Sequence, residues 1–456
     1  MSNYGKLPLW LSITILLLFS LYLGLYFGLF GYLTRFITTK TALPLPFITP
    51  LLWVSLEYLR AHLLTGFPWV SLGYSQYKFL SIIQIADITS FLGISFLIVG
   101  VNTVLFEILL YVKDRASLSL SSIIAISSVF LLFVLSLAYG HFKLQTSPQT
   151  SHDQSGNMIK ATVIQGNIPQ DLKWDKNFQR NTIDVYKHLT DEANKDSVNL
   201  VIWPETAAPF FFQDRSGYQR ELFDLAKKEN IFLLFGSPSY AMTSNSTPRL
   251  FNSAYLISPN GEKLSRYDKI HLVPFGEYVP LSKILFFIEK MVMGIGDFEP
   301  GKDYTLHQIP QGKFGVVICF EVIFPDLVRR FVENGAEFMT TITNDAWFGE
   351  SAAPYQHFAM VVFRAIENRV YFARAANTGI SGFINPKGEI LEASPIFVES
   401  YLTHRISLST VKTFYTLYGD VFAYVCLSLT GIMLILALLN QRLKIKMQND
   451  KSKIKI

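Results

Sequence analysis

Five stretches of the chain are long, apolar and almost free of charge. They cover residues 7–32, 43–64, 82–112, 118–139 and 421–439. Each is close to the ~20 apolar residues that an α-helix needs to cross a bilayer. The pattern therefore predicts five membrane-spanning helices, four before a long polar region and one after it. The first stretch exceeds the roughly 7–15 apolar residues of a secretory signal and lacks a small-residue cleavage site, which favours a spanning helix.

Basic residues in the short loops predict how these helices are oriented. They follow the first, third and last apolar stretches, at Arg35, Lys40, Lys113, Arg115, Arg442, Lys444 and Lys446. Because cytoplasmic loops carry an excess of lysine and arginine, these three sides are predicted to be cytoplasmic. The N-terminus, the loop at 66–78 and the region from about 141 to 415 would then lie on the outer face of the membrane.

The region between the fourth and the last apolar stretch has a different texture, with short β-rich runs alternating with helical periodicity. The predicted strands are 161–165, 200–203, 231–236, 254–258, 315–319 and 338–343, and the predicted helices are 179–194, 218–229, 325–333 and 357–369. Such alternation is typical of an α/β layered domain. The predicted organisation is a transmembrane domain of about four helices at 1–142, a linker at 143–157, an α/β domain at 158–415, a C-terminal transmembrane helix at 416–440 and a basic cytoplasmic tail at 441–456.

Two segments interrupt the alternation, at 239–248 and 283–303. The second contains the apolar runs Leu285-Phe-Phe-Ile288 and Met291-Val-Met-Gly-Ile295. Either these side chains pack into the core of the outer domain, or the segment forms a lid or arm that touches lipid beside the membrane surface. The sequence leaves both interpretations open.

Composition removes several classes of function. Of the 456 residues, 50% are hydrophobic and only 16% are charged, and the net charge is +5. Much of that excess lies in the tail, which is better explained as a membrane-flanking segment than as a nucleic-acid-binding one. Cys319 and Cys426 are the only cysteines, so neither a disulfide framework nor a cysteine-based metal site is expected. The histidines lack ligand spacing and there is no glycine-rich phosphate loop, so we expect no metal and no cofactor.

Cys319 is the candidate nucleophile, because it is a lone thiol at the end of the apolar run Phe314-Gly-Val-Val-Ile-Cys319. Glu205 directly follows the run Leu200-Val-Ile-Trp-Pro, at a strand end where α/β sheets place functional groups, and would take the thiol proton. Lys269 would stabilise an anionic tetrahedral intermediate together with the backbone N–H after Cys319. A glutamate, a lysine and a cysteine in this order suggest covalent acyl transfer.

Two further glutamates are supporting candidates. Glu277 stands in a proline-framed turn, where its carboxylate would orient Lys269 or share the role of base. Glu321 would point to the same side as Cys319 if the strand continued, and would do the same. His271 and His357 suggest a cysteine–histidine pair of the papain type less well, since neither belongs to a further pattern and a structural histidine is commoner.

The ordered set Trp203-Pro-Glu205, Lys269 and Cys319-Phe-Glu321 resembles the nitrilase superfamily of carbon–nitrogen hydrolases. Longer strings resemble one branch of that superfamily, the apolipoprotein N-acyltransferases. They are Gln165-Gly-Asn-Ile-Pro-Gln170, Lys173-Trp174, His271-Leu-Val-Pro-Phe-Gly-Glu277, Asn344-Asp-Ala-Trp-Phe-Gly349, Gly66-Phe-Pro-Trp69 and Gly73-Tyr-Ser-Gln76. The resemblance covers nearly the whole chain. It implies a nitrilase-like αββα sandwich tethered to an α-helical transmembrane domain in the inner (plasma) membrane of a bacterium, with the sandwich on the periplasmic face.

The resemblance also implies a two-step reaction. Cys319, activated by Glu205, would take a fatty acyl chain from a phospholipid such as phosphatidylethanolamine and pass it from a thioester to the N-terminal amine of a diacylglyceryl apolipoprotein. Lys269 would hold the oxyanion in both steps. Glu277 and Glu321 match further active-site positions of the family, and Trp174 matches a tryptophan near the substrate entry.

Two features differ from the family pattern. Phe320 stands directly after the nucleophile, where the family usually has tyrosine, so the ring is kept and the hydroxyl is lost. The chain also opens at what resembles the fourth helix of the family, so the first three transmembrane helices are expected to be missing.

Two other functions compete with acyl transfer. The first would use the same three catalytic candidates, and the second would use no catalytic residue. A membrane-tethered amidase or nitrilase would transfer the acyl group to water, and a non-enzymatic protein would use the outer domain as a binding module. A transporter is less well supported. Glu57, Arg60 and Asp87 are ionisable residues within apolar stretches, but Glu57 and Arg60 are three residues apart on one helix and are expected to pair locally.

Overall fold

A computed structural model describes residues 8–114, 119–146, 158–175, 177–242, 247–279 and 297–453 of the chain. The chain divides into two compact units, one of Ser147–Leu417 with Met1–Ile13 and one of Thr14–Thr146 with Tyr418–Ile456. The second unit is helical and the first is an α/β unit. The apolar runs at 285–288 and 291–295, for which a lid was one interpretation, lie outside the described residues.

The helical unit follows the apolar pattern, with one correction. Its helices are α1 (Leu9–Lys40), α2 (Leu45–His62), α3 (Leu80–Ile83), α4 (Ala86–Asp114), α5 (Leu120–Gln145) and the C-terminal Val421–Lys453. Within the part of the chain that the structure describes, four helices are long and apolar enough to cross a membrane, against five predicted. The exception is α2, which is only 18 residues long and includes Glu57 and Arg60.

The third predicted span is also split rather than continuous. A short helix, α3, precedes α4, and α4 itself contains a break at Ser90, where φ is 56°. Periodicity alone does not register such a break, because the apolar residues continue on both sides of it. The candidate span begins at Ala86 and ends at Lys113.

The ionisable side chains that the sequence placed within apolar stretches are bonded inside the helical unit. Glu57 and Arg60 lie 3.8 Å apart, which confirms the predicted local pair. The Glu57 carboxylate also accepts a hydrogen bond from the backbone N–H of Leu72. Asp87 accepts hydrogen bonds from the Tyr139 hydroxyl and lies 3.4 Å from the Lys143 ammonium. These bonds offset the cost of burying charge in an apolar unit.

The α/β unit contains two six-stranded sheets. Its strands are β1 (Met158–Gln165), β2 (Leu200–Ile202), β3 (Phe232–Met242), β4 (Pro248–Ile257), β5 (Lys263–Asp268), β6 (His307–Ile309), β7 (Gly312–Ile318), β8 (Phe338–Thr343), β9 (Phe372–Ala376), β10 (Gly382–Ile384), β11 (Ile390–Ala393) and β12 (Ser400–Ser407). The strand orders are β12-β1-β2-β3-β4-β5 and β11-β10-β9-β8-β7-β6. Each sheet has a parallel centre, at β1–β2–β3 and at β7–β8–β9, with antiparallel edges.

Helices cover the outer faces of these sheets, and the sheets contact each other through β1 with β9 and β4 with β7. The helices are α6 (Gln179–Ala193), α7 (Gly217–Glu229), α8 (Pro325–Glu333), α9 (Ala353–Asn368) and the short α10 (Phe414–Tyr418); the C-terminal helix is α11. Helices α6 and α7 pack on the first sheet through a core that includes Tyr186, Leu222 and Trp203. The unit is the α/β layered domain that the sequence pattern predicted, in the αββα form that the family resemblance implied.

All six predicted strands are present, with ends shifted by up to six residues, but six further strands were missed. The missed strands are β5, β6, β9, β10, β11 and β12. Strand β12 shows why, because most of its residues are half-buried, it carries little apolar alternation and it pairs with β1, whose Met158 lies opposite Ser407. Non-local pairing of that kind leaves no local signal. The interruption predicted at 239–248 includes the outer ends of the β3–β4 hairpin.

Gly236 allows β3 to approach the loop that follows β2. Its N–H donates to the Pro204 carbonyl and its own carbonyl accepts from the Ala208 N–H. A Cβ atom at this position would lie 2.7 Å from the Cα of Glu205, closer than side-chain carbons normally come to backbone. The loop that carries Glu205 therefore lies directly against the backbone of β3.

Gly236→Ala is expected to lower the free energy of unfolding by about 1–3 kcal/mol, because the added methyl group forces this loop away from the sheet. A drop in the thermal midpoint of roughly 2–4 °C per kcal/mol would follow, read by tryptophan fluorescence in detergent. Gly217→Ala is the matched control, since a Cβ there meets open space. Equal midpoints for the two variants would contradict the close approach.

Candidate active site

The predicted glutamate, lysine and cysteine each lie at or just beyond the C-terminal end of a strand. Glu205 lies three residues beyond β2, Lys269 directly follows β5, and Cys319 directly follows β7. Glu205 is 7% exposed and Lys269 is 1% exposed, whereas Cys319 keeps some accessible surface. Burying a glutamate and a lysine this completely requires partners for both.

The Glu205 carboxylate accepts hydrogen bonds on both oxygens. Its Oε1 atom accepts from the side-chain amide of Asn252 at 2.7 Å, and its Oε2 atom accepts from the backbone N–H of Asn344 at 2.9 Å. The Lys269 ammonium lies 3.7 Å from Oε1. With donors on both oxygens, the carboxylate is held in one orientation.

Lys269 lies between two carboxylates. Its Nζ atom donates to Glu277 at 3.0 Å and is 3.7 Å from Glu205. Glu277 is itself fixed, since it accepts from the Asn252 amide and from the Val273 N–H. Burial alone would lower the pKa of Lys269, but the charges of Glu277 and then Glu205 outweigh it and the pKa is raised. The lysine is therefore a permanent cation between Glu277 and Glu205.

Cys319 begins a 3₁₀ turn that runs to Ile323, with a backbone φ of 53°. A non-glycine residue in the left-handed region is uncommon and is typical of strained functional turns. Burial, and then the neighbouring charge of Glu205, raise the pKa of the thiol, while Lys269 acts in the opposite direction. The resting group is a neutral thiol, so it needs a base at the moment of reaction.

Glu321 lies in this turn rather than on a continued strand, because β7 ends at Ile318. Its carboxylate binds four donors, namely the N–H groups of Ile318, Ile270 and His271 and the hydroxyl of Tyr267. Burial raises its pKa to about 7, against the opposing effects of Lys269 and of these bonds. Glu321 thus ties the nucleophile turn to the segment that follows Lys269.

Three aromatic rings lie together beside the turn. The His271 ring stacks on Phe324 with centroids 3.8 Å apart, and Phe320 lies 5.9 Å from His271 and 5.2 Å from Phe324. Burial lowers the pKa of His271 to about 4, helped by Lys269. His271 is therefore a neutral stacking partner at physiological pH. Phe320 remains half-buried.

Trp174 is half-buried in a turn that is anchored to Glu205. The neighbouring Lys173 is 2% exposed and donates from Nζ to the Glu205 carbonyl at 2.8 Å. Burial lowers the pKa of Lys173 to about 8, although Glu205 and Cys319 oppose this. A second bond joins the side chains of Asn344 and Gln170 at 2.6 Å.

Several residues of the site were not singled out from the sequence as candidates, and His357 was considered only as a papain-type partner of the thiol. Asn252 and Asn344 bind Glu205, and Asp345, His357 and Arg374 form a buried cluster behind Cys319. Asn344 and Asp345 belong to a family-like string, which was the one available signal. His357 faces the backbone carbonyl of Cys319 through Nε2 at 3.2 Å. In the described part of the chain, no group of three or more His, Cys, Asp or Glu side chains has an arrangement suited to a metal ion.

Known proteins resemble the chain along nearly its whole length. The family described as "Carbon-nitrogen hydrolase" matches residues 160–415, and the one described as "Apolipoprotein N-acyltransferase N-terminal domain" matches residues 1–104. The apolipoprotein N-acyltransferase of Geobacter metallireducens is 44% identical over 96% of this chain and 82% of its own length. That of Haemophilus influenzae is 32% identical over 95% of this chain and 81% of its own.

A solved structure, Saccharomyces cerevisiae Nit3 of branch 10 of the nitrilase superfamily, has a TM-score of 0.43 at 20% identity and covers 56% of this chain and 92% of that one. The family assignment rests on the sequence matches, which span both units and include relatives over four-fifths of their length. The chain belongs to the apolipoprotein N-acyltransferase family of carbon–nitrogen hydrolases.

Proposed function

We propose that this protein transfers a fatty acyl chain from a phospholipid, through a thioester on Cys319, to the N-terminal amine of a diacylglyceryl apolipoprotein. The observation that carries the proposal is the buried Glu205–Lys269–Glu277 arrangement beside a strained cysteine turn, in a chain whose relatives are named apolipoprotein N-acyltransferases. Glu205, Lys269 and Cys319 are the proposed catalytic residues. Glu277, Glu321 and Phe320 support them, and Trp174 contacts substrate.

In the first step the Cys319 sulfur attacks the ester carbonyl of the phospholipid while Glu205 accepts the thiol proton. The negative charge that develops on the carbonyl oxygen is held by the Lys269 ammonium and the Phe320 N–H. The intermediate collapses as the carbon–oxygen bond to glycerol breaks, and Glu205 returns the proton to the departing alkoxide. A lysophospholipid leaves and the acyl chain remains on sulfur.

In the second step the α-amine of the diacylglyceryl-cysteine attacks the thioester carbonyl. Glu205 accepts a proton from the amine, and the oxyanion forms again at Lys269 and the Phe320 N–H. Collapse breaks the carbon–sulfur bond, the sulfur regains a proton from Glu205, and an amide is released. The thioester separates the two halves of the reaction, so the donor and the acceptor need not be bound at once.

The proposed location is the inner membrane of a bacterium, with the α/β unit on the periplasmic face. This orientation requires α2 to cross the bilayer together with the four longer helices, and the basic residues after the first, third and last apolar stretches support it. Both substrates carry acyl chains, so a membrane location confines enzyme, donor and acceptor to one surface and raises their effective concentration. An amidase that transfers to water is less well supported, because the similar curated proteins are named as acyltransferases.

Cys319→Ala is expected to abolish acyl-enzyme formation, because no other group in the proposed site forms a thioester. The measurement is intact-protein mass spectrometry after incubation with phosphatidylethanolamine, followed by addition of a diacylated lipopeptide to discharge the adduct. Cys426→Ala is the matched control and should retain the adduct, since this thiol lies in α11. An adduct on Cys319→Ala would refute the assignment, and an adduct that water alone discharges at the same rate would indicate a hydrolase.

Lys269→Met is expected to reduce the rate of thioester formation on the order of 10²–10³-fold, the usual loss for one oxyanion donor. The measurement is single-turnover acylation by phosphatidylethanolamine. Lys187→Met is the control, because Lys187 pairs with Glu221 at the surface. If Lys269→Met is folded, as shown by a cooperative unfolding transition, and still acylates at the rate of the unsubstituted protein, Lys269 is not an oxyanion donor.

Acylation is expected to be lost as the pH falls through about 7, because burial raises the pKa of Glu321 to that value and only the ionised carboxylate accepts all four of its hydrogen bonds. Tyr267→Phe removes a donor that lowers this pKa, so the acid limb of the pH–rate profile should move to higher pH. Tyr278→Phe, a tyrosine outside this network, should leave the limb in place. A limb unmoved by Tyr267→Phe would assign it to another group.

A further inference from the structure

A buried cluster behind the nucleophile has no part in the acid–base steps above. Asp345 lies in the turn after β8, His357 in α9 and Arg374 in β9, and all three side chains are 0% exposed. The Arg374 Nη2 atom is 2.7 Å from Asp345 and 3.1 Å from the Nδ1 atom of His357, and Arg374 Nε donates to the Ile380 carbonyl. A cluster fixed this completely holds its imidazole in one position.

His357 spans from this cluster to the backbone of Cys319. Its Nδ1 atom lies 3.0 Å from Asp345 Oδ1, and its Nε2 atom lies 3.2 Å from the carbonyl oxygen of Cys319. A proton on Nδ1 alone would leave the Nε2 lone pair facing an acceptor. With a proton on Nε2, the ring donates to Cys319, and Nδ1 accepts from Arg374 or, if also protonated, donates to Asp345. Each satisfied state places a hydrogen on Nε2.

The hydrogen bond to the Cys319 carbonyl also sets the orientation of the peptide plane between Cys319 and Phe320. The peptide between Cys319 and Phe320 is planar, and the described part of the chain contains no cis peptide bond. In a trans peptide the N–H points opposite to the C=O, so holding the Cys319 oxygen towards His357 turns the Phe320 N–H the other way. Phe320 is in the first turn of a 3₁₀ helix, where N–H groups have no partner within the helix.

We infer that His357 is a positioning residue that sets the Phe320 N–H as the second oxyanion donor of the acyl transfer. The inference rests on the proposed function, since it concerns the same tetrahedral intermediates. It also explains why the strained Cys319 backbone needs support. A peptide plane next to a left-handed residue can rotate, and rotation would withdraw the N–H from the oxyanion while leaving the sulfur almost unmoved.

Two reactions of the same thiol separate this role from a general structural one. Alkylation by iodoacetamide displaces iodide at a saturated carbon and forms no oxyanion, whereas acylation by phosphatidylethanolamine passes through one. Both rates are measured on the full-length chain in a Cys426→Ala background, so that only Cys319 reacts. The variants are His357→Leu, which cannot donate, and His357→Gln, whose amide can donate to the Cys319 carbonyl.

His357→Leu is expected to slow acylation on the order of 10²-fold, the loss of one oxyanion donor, and to leave alkylation unchanged. His357→Gln should recover much of the acylation rate. The matched control is His404→Leu. It removes a histidine that pairs with Glu392, outside the proposed site, and should alter neither rate.

Parallel loss of both rates in His357→Leu would show that His357 merely maintains the fold, and retention of both would show that the plane is held without it. Either result overturns the inference. If His357→Leu does not fold, His357→Met takes its place as the variant that cannot donate. Its acylation and alkylation rates are then compared with those of His357→Gln. If the unsubstituted protein forms no adduct with phosphatidylethanolamine, the proposal that this phospholipid is the acyl donor is wrong. The His357 comparison is then made with p-nitrophenyl acetate, which also acylates through an oxyanion.

Discussion

The site depends on one buried cation, Lys269, held between the carboxylates of Glu205 and Glu277. Without it two buried carboxylates would share one amide donor, Asn252, and repel each other in a low-dielectric interior. With it, the positive charge is fixed before substrate arrives. A preorganised charge stabilises a developing oxyanion at no reorganisation cost. The arrangement therefore serves the fold and the proposed chemistry through the same contacts.

The carboxylates of Glu205 and Glu321 have different hydrogen-bond partners and different proposed roles near this cation. Glu205 accepts from an amide and a backbone N–H, and in the proposed reaction it is the base required by a thiol that burial keeps neutral. Glu321 accepts from three backbone N–H groups and a hydroxyl, and so joins the cysteine turn to the Lys269 segment. The backbone at the start of the turn is held from two sides, by Glu321 at the Ile318 N–H and by His357 at the Cys319 carbonyl.

Much of this could be anticipated from the sequence. Glu205 and Cys319 stood out because each follows or ends a recognisable apolar run, and Lys269 because a glutamate, a lysine and a cysteine in this order suggest acyl transfer; the structure brings all three to strand ends of one unit. The supporting residues were harder to identify. Asn252 lies in the middle of a β-hairpin, and Arg374 and His357 lie on a buried strand and a buried helix. Locally they look like ordinary interior polar residues, and their role depends on partners far away in the chain.

The sequence by itself determined where the long apolar helices lie, the α/β alternation and the candidate reactive groups, because hydrophobic period and residue chemistry are local properties. Only the tertiary structure decided that α2 is a buried helix with a polar end, that β12 returns to pair with β1, and that Cys319 begins a turn with φ of 53°. Long-range pairing and backbone strain are set by contacts between residues tens to hundreds of positions apart. No local pattern encodes those contacts.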